Sequence, residues 1–133
     1  MTRIELVHGE LSREIVGAFY EVFKELGTGF LEGAYHRAMV IALEDRGLAS
    51  QREVPTTVYF RGRSIGEYRM DLVVENAIVV ECKTAERITP PHRVQLLNYL
   101  RATNYRLGLV LNFGATPEFK RMVKDTSRQG RVP

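Results

Sequence analysis

Tyr68-Arg69-Met70-Asp71-Leu72-Val73-Val74 and Ala77-Ile78-Val79-Val80-Glu81-Cys82-Lys83 read as two β-strands joined by a turn at Glu75-Asn76. Both are rich in β-branched apolar residues, yet they carry Asp71, Glu81 and Lys83. Ionisable groups on such strands are costly to desolvate unless something uses them. If the turn centres on Asn76, Asp71 lies opposite Glu81 and Arg69 opposite Lys83. Glu81 and Lys83 share a face because they are two residues apart. This register needs an odd-length turn, since a two-residue turn would send Asp71 to the other face. Asn76 tolerates the left-handed backbone such a turn uses, and a bulge near Asp71 would also deliver the register. Directly opposed Cβ atoms stand about 4.5–5.5 Å apart, so Asp71 and Glu81 can share one divalent cation.

Outward from this hairpin the chain alternates in type. Leu11, Ile15, Phe19, Val22, Phe23 and Leu26 recur at helical spacing and predict a first helix over about residues 10–26. Gly27-Thr28-Gly29 breaks it. A second helix is expected from Leu31 to Arg46, with Leu31, Tyr35, Ala38, Met39 and Ala42 as its core stripe and Gly47 as its stop. Strands are expected over Arg52–Phe60, Ile65–Val74 and Ala77–Lys83, with Arg61-Gly62-Arg63 as the first turn. Thr89-Pro90-Pro91 opens a third helix over Pro91–Thr103, because proline suits a first helical turn. Leu107–Phe113 is almost wholly apolar and reads as a strand buried on both faces, parallel to its neighbour after the helical crossover. Glu118–Lys124 is a short element of open type. The order α-α-β-β-β-α-β predicts an α/β sandwich, a mixed central sheet flanked by helices.

Composition sets the outer bounds. The 133 residues suit one domain, taken as 1–125, followed by a frayed basic tail at 126–133. A hydrophobic content of 44% fits a globular fold. No apolar run approaches the roughly 20 residues of a membrane span. The first residues lack the apolar core of a signal peptide. A single cysteine, Cys82, rules out an internal disulfide and suits a reducing, cytoplasmic setting. Residues 1–86 carry 10 Lys/Arg against 14 Asp/Glu, whereas residues 87–133 carry 9 against 2. A basic C-terminal half beside an acidic cluster could hold a polyanion against metal ligands, although on charge alone a solvated surface with a charged tail is the favoured reading.

Asp71 and Glu81 offer hard oxygen ligands for Mg2+ or Mn2+, and the Cys82 carbonyl could add another. Lys83 could orient a water or stabilise charge growing on a phosphate. Gln95 and Tyr99 lie four apart on one face of the third helix. Glu32 and Tyr35 follow Gly29 as Gly-x-x-Glu-x-x-Tyr. Glu32 falls in a first helical turn, where a carboxylate suits the helix dipole whether or not it also serves a metal. Cys82 faces away from Glu81 and reads as core. His36 and His92 have no spaced ligand partner, which argues against zinc.

Taken together, these stretches resemble the PD-(D/E)XK nuclease superfamily, and within it the GxxExxY family of small proteins. The residues that carry the resemblance are Gly29–Tyr35, Arg69-Met70-Asp71, Val80-Glu81-Cys82-Lys83, Gln95–Tyr99 and Leu109–Gly114. One departure is Met70, where the superfamily's motif has proline. The resemblance implies a restriction-endonuclease-like fold and Mg2+- or Mn2+-dependent hydrolysis of nucleic acid, with DNA as the first expectation. By position, it implies Asp71, Glu81 and Glu32 as metal-binding acids, Lys83 as the catalytic lysine, and Gln95 and Tyr99 as the helix pair that supports the site or meets substrate. Arg93 and Arg69 are expected to contact substrate. The alternative is a non-catalytic nucleic-acid-binding or protein-interaction module that keeps the fold. A chain this small leaves little surface around a duplex, so a homodimer or partner would help.

Overall fold

The computed structural model describes residues 3–124. The expected tail at 126–133 lies outside the described residues. Three helices and five strands follow in the order α1 (Arg3–Leu26), α2 (Glu32–Asp45), β1 (Ser50–Phe60), β2 (Arg63–Val74), β3 (Ile78–Lys83), α3 (Pro90–Ala102), β4 (Leu107–Phe113) and β5 (Pro117–Val123). The expected α/β class holds, and the element left open near the end is a strand. The sheet order is β1-β2-β3-β4-β5, with β3 and β4 parallel across the α3 crossover and the other neighbours antiparallel.

The apolar pattern divides the core in two. Ile15, Phe19, Tyr35, Met39 and Leu43 of α1 and α2 pack on Leu72, Val74, Val80, Cys82 and Leu111 on one face of the sheet. Leu96, Tyr99 and Leu100 of α3 pack on Met70, Val73, Val79 and Val110 on the other. β4 is covered on both faces, which is why its sequence is apolar without alternation. Gly108 lets α3 come close: a Cβ there would stand 2.7 Å from Leu96 Cδ1. Leu31, expected in the α2 stripe, is instead 84% exposed at the helix N-cap, and His36 and Leu43 complete the buried face.

The turns decide the register. Arg61 and Gly62 alone connect β1 to β2, both with positive φ, so the first turn has two residues rather than three. Glu75 and Asn76 also have positive φ, and the second loop runs through Ala77 to give pairs Val74–Ile78, Val73–Val79 and Leu72–Val80. That is the odd-length register expected. Two tertiary links hold this unusual backbone. Glu75 Oε2 accepts the Ala49 N–H at 2.7 Å, and Asn76 Oδ1 accepts the Tyr105 hydroxyl at 2.8 Å.

Candidate active site

β2 and β3 bring their acids together where they stop pairing. Past Leu72–Val80 the backbone ladder ends, and the next residue on each strand is an acid. Each carboxylate takes the place of a ladder partner. The Asp71 N–H donates to Glu81 Oε2 at 2.8 Å, and the Cys82 N–H donates to Asp71 Oδ2 at 2.8 Å. This reciprocal capping fixes both acids against the strand backbone. It leaves lone pairs on each carboxylate for another ligand.

The same step is where β2 changes face. Met70 and Val73 pack toward α3, whereas Leu72 and Val74 pack toward α1 and α2. Strict alternation would put Met70 and Leu72 on one face. The residue across on β1 is Glu53, with φ of 51°, between the pairs Arg52–Leu72 and Val54–Met70. A left-handed non-glycine residue costs about 1–2 kcal/mol, so this irregularity is held by what surrounds it. Its consequence is that both strands rotate at Asp71.

That rotation also relocates Arg69. Tyr68 and Met70 lean toward α3, with the Tyr68 and Tyr99 rings 6.4 Å apart. Arg69 is exposed and pairs across to Pro55 on β1, and the β2–β3 ladder has ended before it could face Lys83. Arg93 is half-buried on α3 and makes no ion pair among the described residues. The structure therefore brings neither arginine into the acid cluster.

Burial dominates the electrostatics. Glu81 is 2% exposed. Desolvation first, then the charge of Asp71, push its carboxyl up to about 8, against the opposing effects of the Asp71 N–H and Lys83. Glu32 adds to the same negative field. Burial and these acids also raise the Cys82 thiol well above its ordinary value, so it stays protonated and is a poor ligand.

Lys83 is held from the other side. Its Nζ donates to Gln95 Oε1 at 2.7 Å, and Gln95 Nε2 donates to the Tyr99 hydroxyl at 3.4 Å. The spacing of Gln95 and Tyr99 on α3 thus supplies one continuous chain to the lysine. Lys83 forms no ion pair with either acid among the described residues, so its charge is not consumed inside the cluster.

The Gly-x-x-Glu-x-x-Tyr segment builds the wall that carries Glu32. Gly29 has φ of 110°, which favours glycine. The Tyr35 hydroxyl donates to the Gly27 carbonyl at 2.6 Å and accepts the Phe30 N–H at 3.3 Å. Its ring stacks on Phe113 at 4.1 Å. Tyr35 is therefore a strut, and Glu32 starts α2 without capping it through a hydrogen bond.

Two residues escaped sequence reasoning. His36 is 7% exposed and sets Nε2 3.3 Å from Asp71 Oδ2, without the alignment of a hydrogen bond. Neither ring nitrogen has a hydrogen-bond partner among the described residues. Ligand atoms of His36, Asp71 and Cys82 lie within 4.8 Å of one another; Glu32 and Glu81 stand outside that tight group. Spacing along the chain gives His36 no ligand partner, whereas the fold brings it to Asp71. The only available signal was Tyr35-His36, which places the histidine one residue past an aromatic of the α2 stripe. The second is Asn112, fully buried at the end of β4. Its Oδ1 accepts the Ala85 N–H and its Nδ2 donates to the Ala85 carbonyl, both at 2.9 Å. It clamps the loop that leaves Lys83. His92 has a plainer role, accepting the Thr89 N–H at the start of α3.

Comparison with known proteins agrees with this fold. A structure described as the crystal structure of SSO0001 covers 98% of this chain and 67% of its own, at 19% identity and a TM-score of 0.55. An alkaline exonuclease from Laribacter hongkongensis matches 75% of this chain, at 11% identity and a TM-score of 0.54. The matched region spans 58% of that exonuclease. Curated protein sequences give no match. The sequence profile of the PD-(D/E)XK nuclease superfamily matches residues 9–123. The chain belongs to the PD-(D/E)XK nuclease superfamily.

Proposed function

We propose that this protein is a divalent-metal-dependent nuclease of the GxxExxY kind, acting on nucleic acid, with DNA as the first substrate to test. The observation that carries the reading is the reciprocal capping of Asp71 and Glu81 where the β2–β3 ladder opens. The donor set suits a small hard cation, Mg2+ or Mn2+. Two acids meet in a buried setting, one with a raised pKa, beside a histidine whose ring nitrogens are unpartnered. Asp71 and Glu81 would hold the ion, with Glu32 adding field and His36 within reach of Asp71. Such a cation supplies Lewis acidity and makes a water more acidic.

The chain's own groups do the rest. Gln95 fixes Lys83 through one N–H and leaves the other ammonium donors for a phosphate oxygen. Because Gln95 is neutral, the lysine keeps its full charge for the negative charge that grows in phosphodiester hydrolysis. Tyr99 steadies Gln95. The test is cleavage of single- and double-stranded DNA and RNA in Mn2+ and in EDTA. Cleavage is expected in Mn2+ alone, reduced about 10²- to 10³-fold in Lys83→Ala and abolished in Glu81→Ala. Activity that persists in both variants refutes the assignment.

A further inference from the structure

A second feature of the α3 face lies beside the acid cluster. A groove of about 560 Å³ runs between α3 and the β1–β2 hairpin. Its walls include Tyr59, Tyr68 and Tyr99, with Val94, Gln95 and Arg101. Tyr59 and Tyr68 are 54% and 50% exposed, and the Tyr68 ring stands 6.4 Å from that of Tyr99. Tyr68 lies along the strand over Gly66, where a Cβ would come within 2.9 Å of its ring. The glycine thus leaves room for the ring to lie flat.

Three observations select the occupant. First, the groove is continuous with the candidate active site, because Gln95 and Tyr99 line it and also form the chain to Lys83. Whatever fills it is held beside the reacting phosphate. Second, the one charged side chain among its lining residues is a cation, Arg101, and no acid lines it. That suits a polyanion. Third, three tyrosine rings line it beside Thr57, Gln95, Asn98 and Arg101, and such a ring-rich wall suits stacking on a base.

We infer that this groove receives an unpaired nucleobase of the strand whose phosphate lies at Asp71, Glu81 and Lys83. The inference rests on the nuclease reading and narrows its substrate to nucleic acid with a single-stranded or unstacked segment at the site. A base inside a duplex is already stacked on both sides and cannot enter.

Fluorescence anisotropy in EDTA, where cleavage is not expected, tests this with three labelled DNA probes. They are a single strand, the same strand with abasic residues, and a blunt duplex. The intact strand is expected to bind about tenfold tighter than the abasic strand, the size of one lost base–aromatic stack. Tyr68→Ala should remove that difference and leave abasic binding unchanged, while Tyr68→Phe keeps it. Tyr59→Ala, at an exposed position, should act in the same direction. Equal binding of intact and abasic strands by protein that cleaves in Mn2+ overturns the groove and leaves the nuclease reading standing. An equal loss on all probes in Tyr68→Ala also overturns it. Binding of no probe overturns both readings.

Discussion

Glu81 carries an unusual burden for one side chain. It is buried and faces the charge of Asp71, and these outweigh the Asp71 N–H it accepts, so its carboxyl keeps a proton up to about pH 8 in the folded protein. In the unfolded chain it loses that proton near its ordinary value of 4.5. Between these two values the folded state binds more protons than the unfolded state, so stability falls as pH rises. The stabilising contribution is fully present below pH 4.5 and is lost through about pH 8. Thermal melts in EDTA should therefore show Tm declining across this window, and Glu81→Gln should flatten the decline and raise Tm at pH 8. A melt of Glu81→Gln that tracks the wild type contradicts the assignment. Lys83 makes the opposite case: a flexible cation becomes positioned because a neutral amide, not an acid, holds it.

Strands and loops set where these side chains can act. β4 ends in Asn112, whose amide mimics a strand partner for Ala85, while Ile88 N–H donates to Glu118 Oε1 at 2.6 Å. The loop after Lys83 is thus tied to β4 and β5. Asn112→Leu keeps size but leaves both Ala85 groups without a partner, and should destabilise the protein by about 2 kcal/mol in chemical denaturation. A stability within about 0.5 kcal/mol of wild type would remove the clamp from the account. Much of this level was legible in the sequence. The parity of the Glu75–Ala77 turn put Asp71 and Glu81 together, and helical spacing put Gln95 beside Tyr99. The face switch at Asp71 was not legible, because it depends on Glu53 adopting a left-handed backbone on a different strand. Arg69 was misplaced against Lys83 for the same reason. Asn112 was hidden within an apolar run, and its bonds to Ala85 span 27 residues. His36 meets Asp71 only once α2 is docked on the sheet.

At the scale of the molecule, one helix layer positions the proposed metal-binding side and the other positions the lysine. α2 brings His36 and Glu32 toward Asp71 and Glu81, and α3 brings Gln95 to Lys83. The docking of α3 relies on the bare backbone of Gly108 beneath Leu96. Gly108→Ala gains about 0.5–1 kcal/mol of backbone entropy but overpacks a closed site at a cost of about 1–3 kcal/mol. The second effect is larger, so the variant should be less stable by denaturant midpoint. Equal or greater stability would show that α3 can move away from the sheet without loss. Among the described residues no helix is long and apolar enough to cross a membrane.

The central claim is that Asp71 and Glu81 bind one divalent cation together, and calorimetric titration with Mn2+ at pH 7 in two buffers of different ionisation enthalpy measures it most directly. Saturable binding with release of close to one proton per ion is expected, because the cation must displace the proton that Glu81 holds. In Glu81→Gln both the affinity and the proton release should fall away. Binding that releases no proton, or that survives unchanged in Glu81→Gln, would contradict the account.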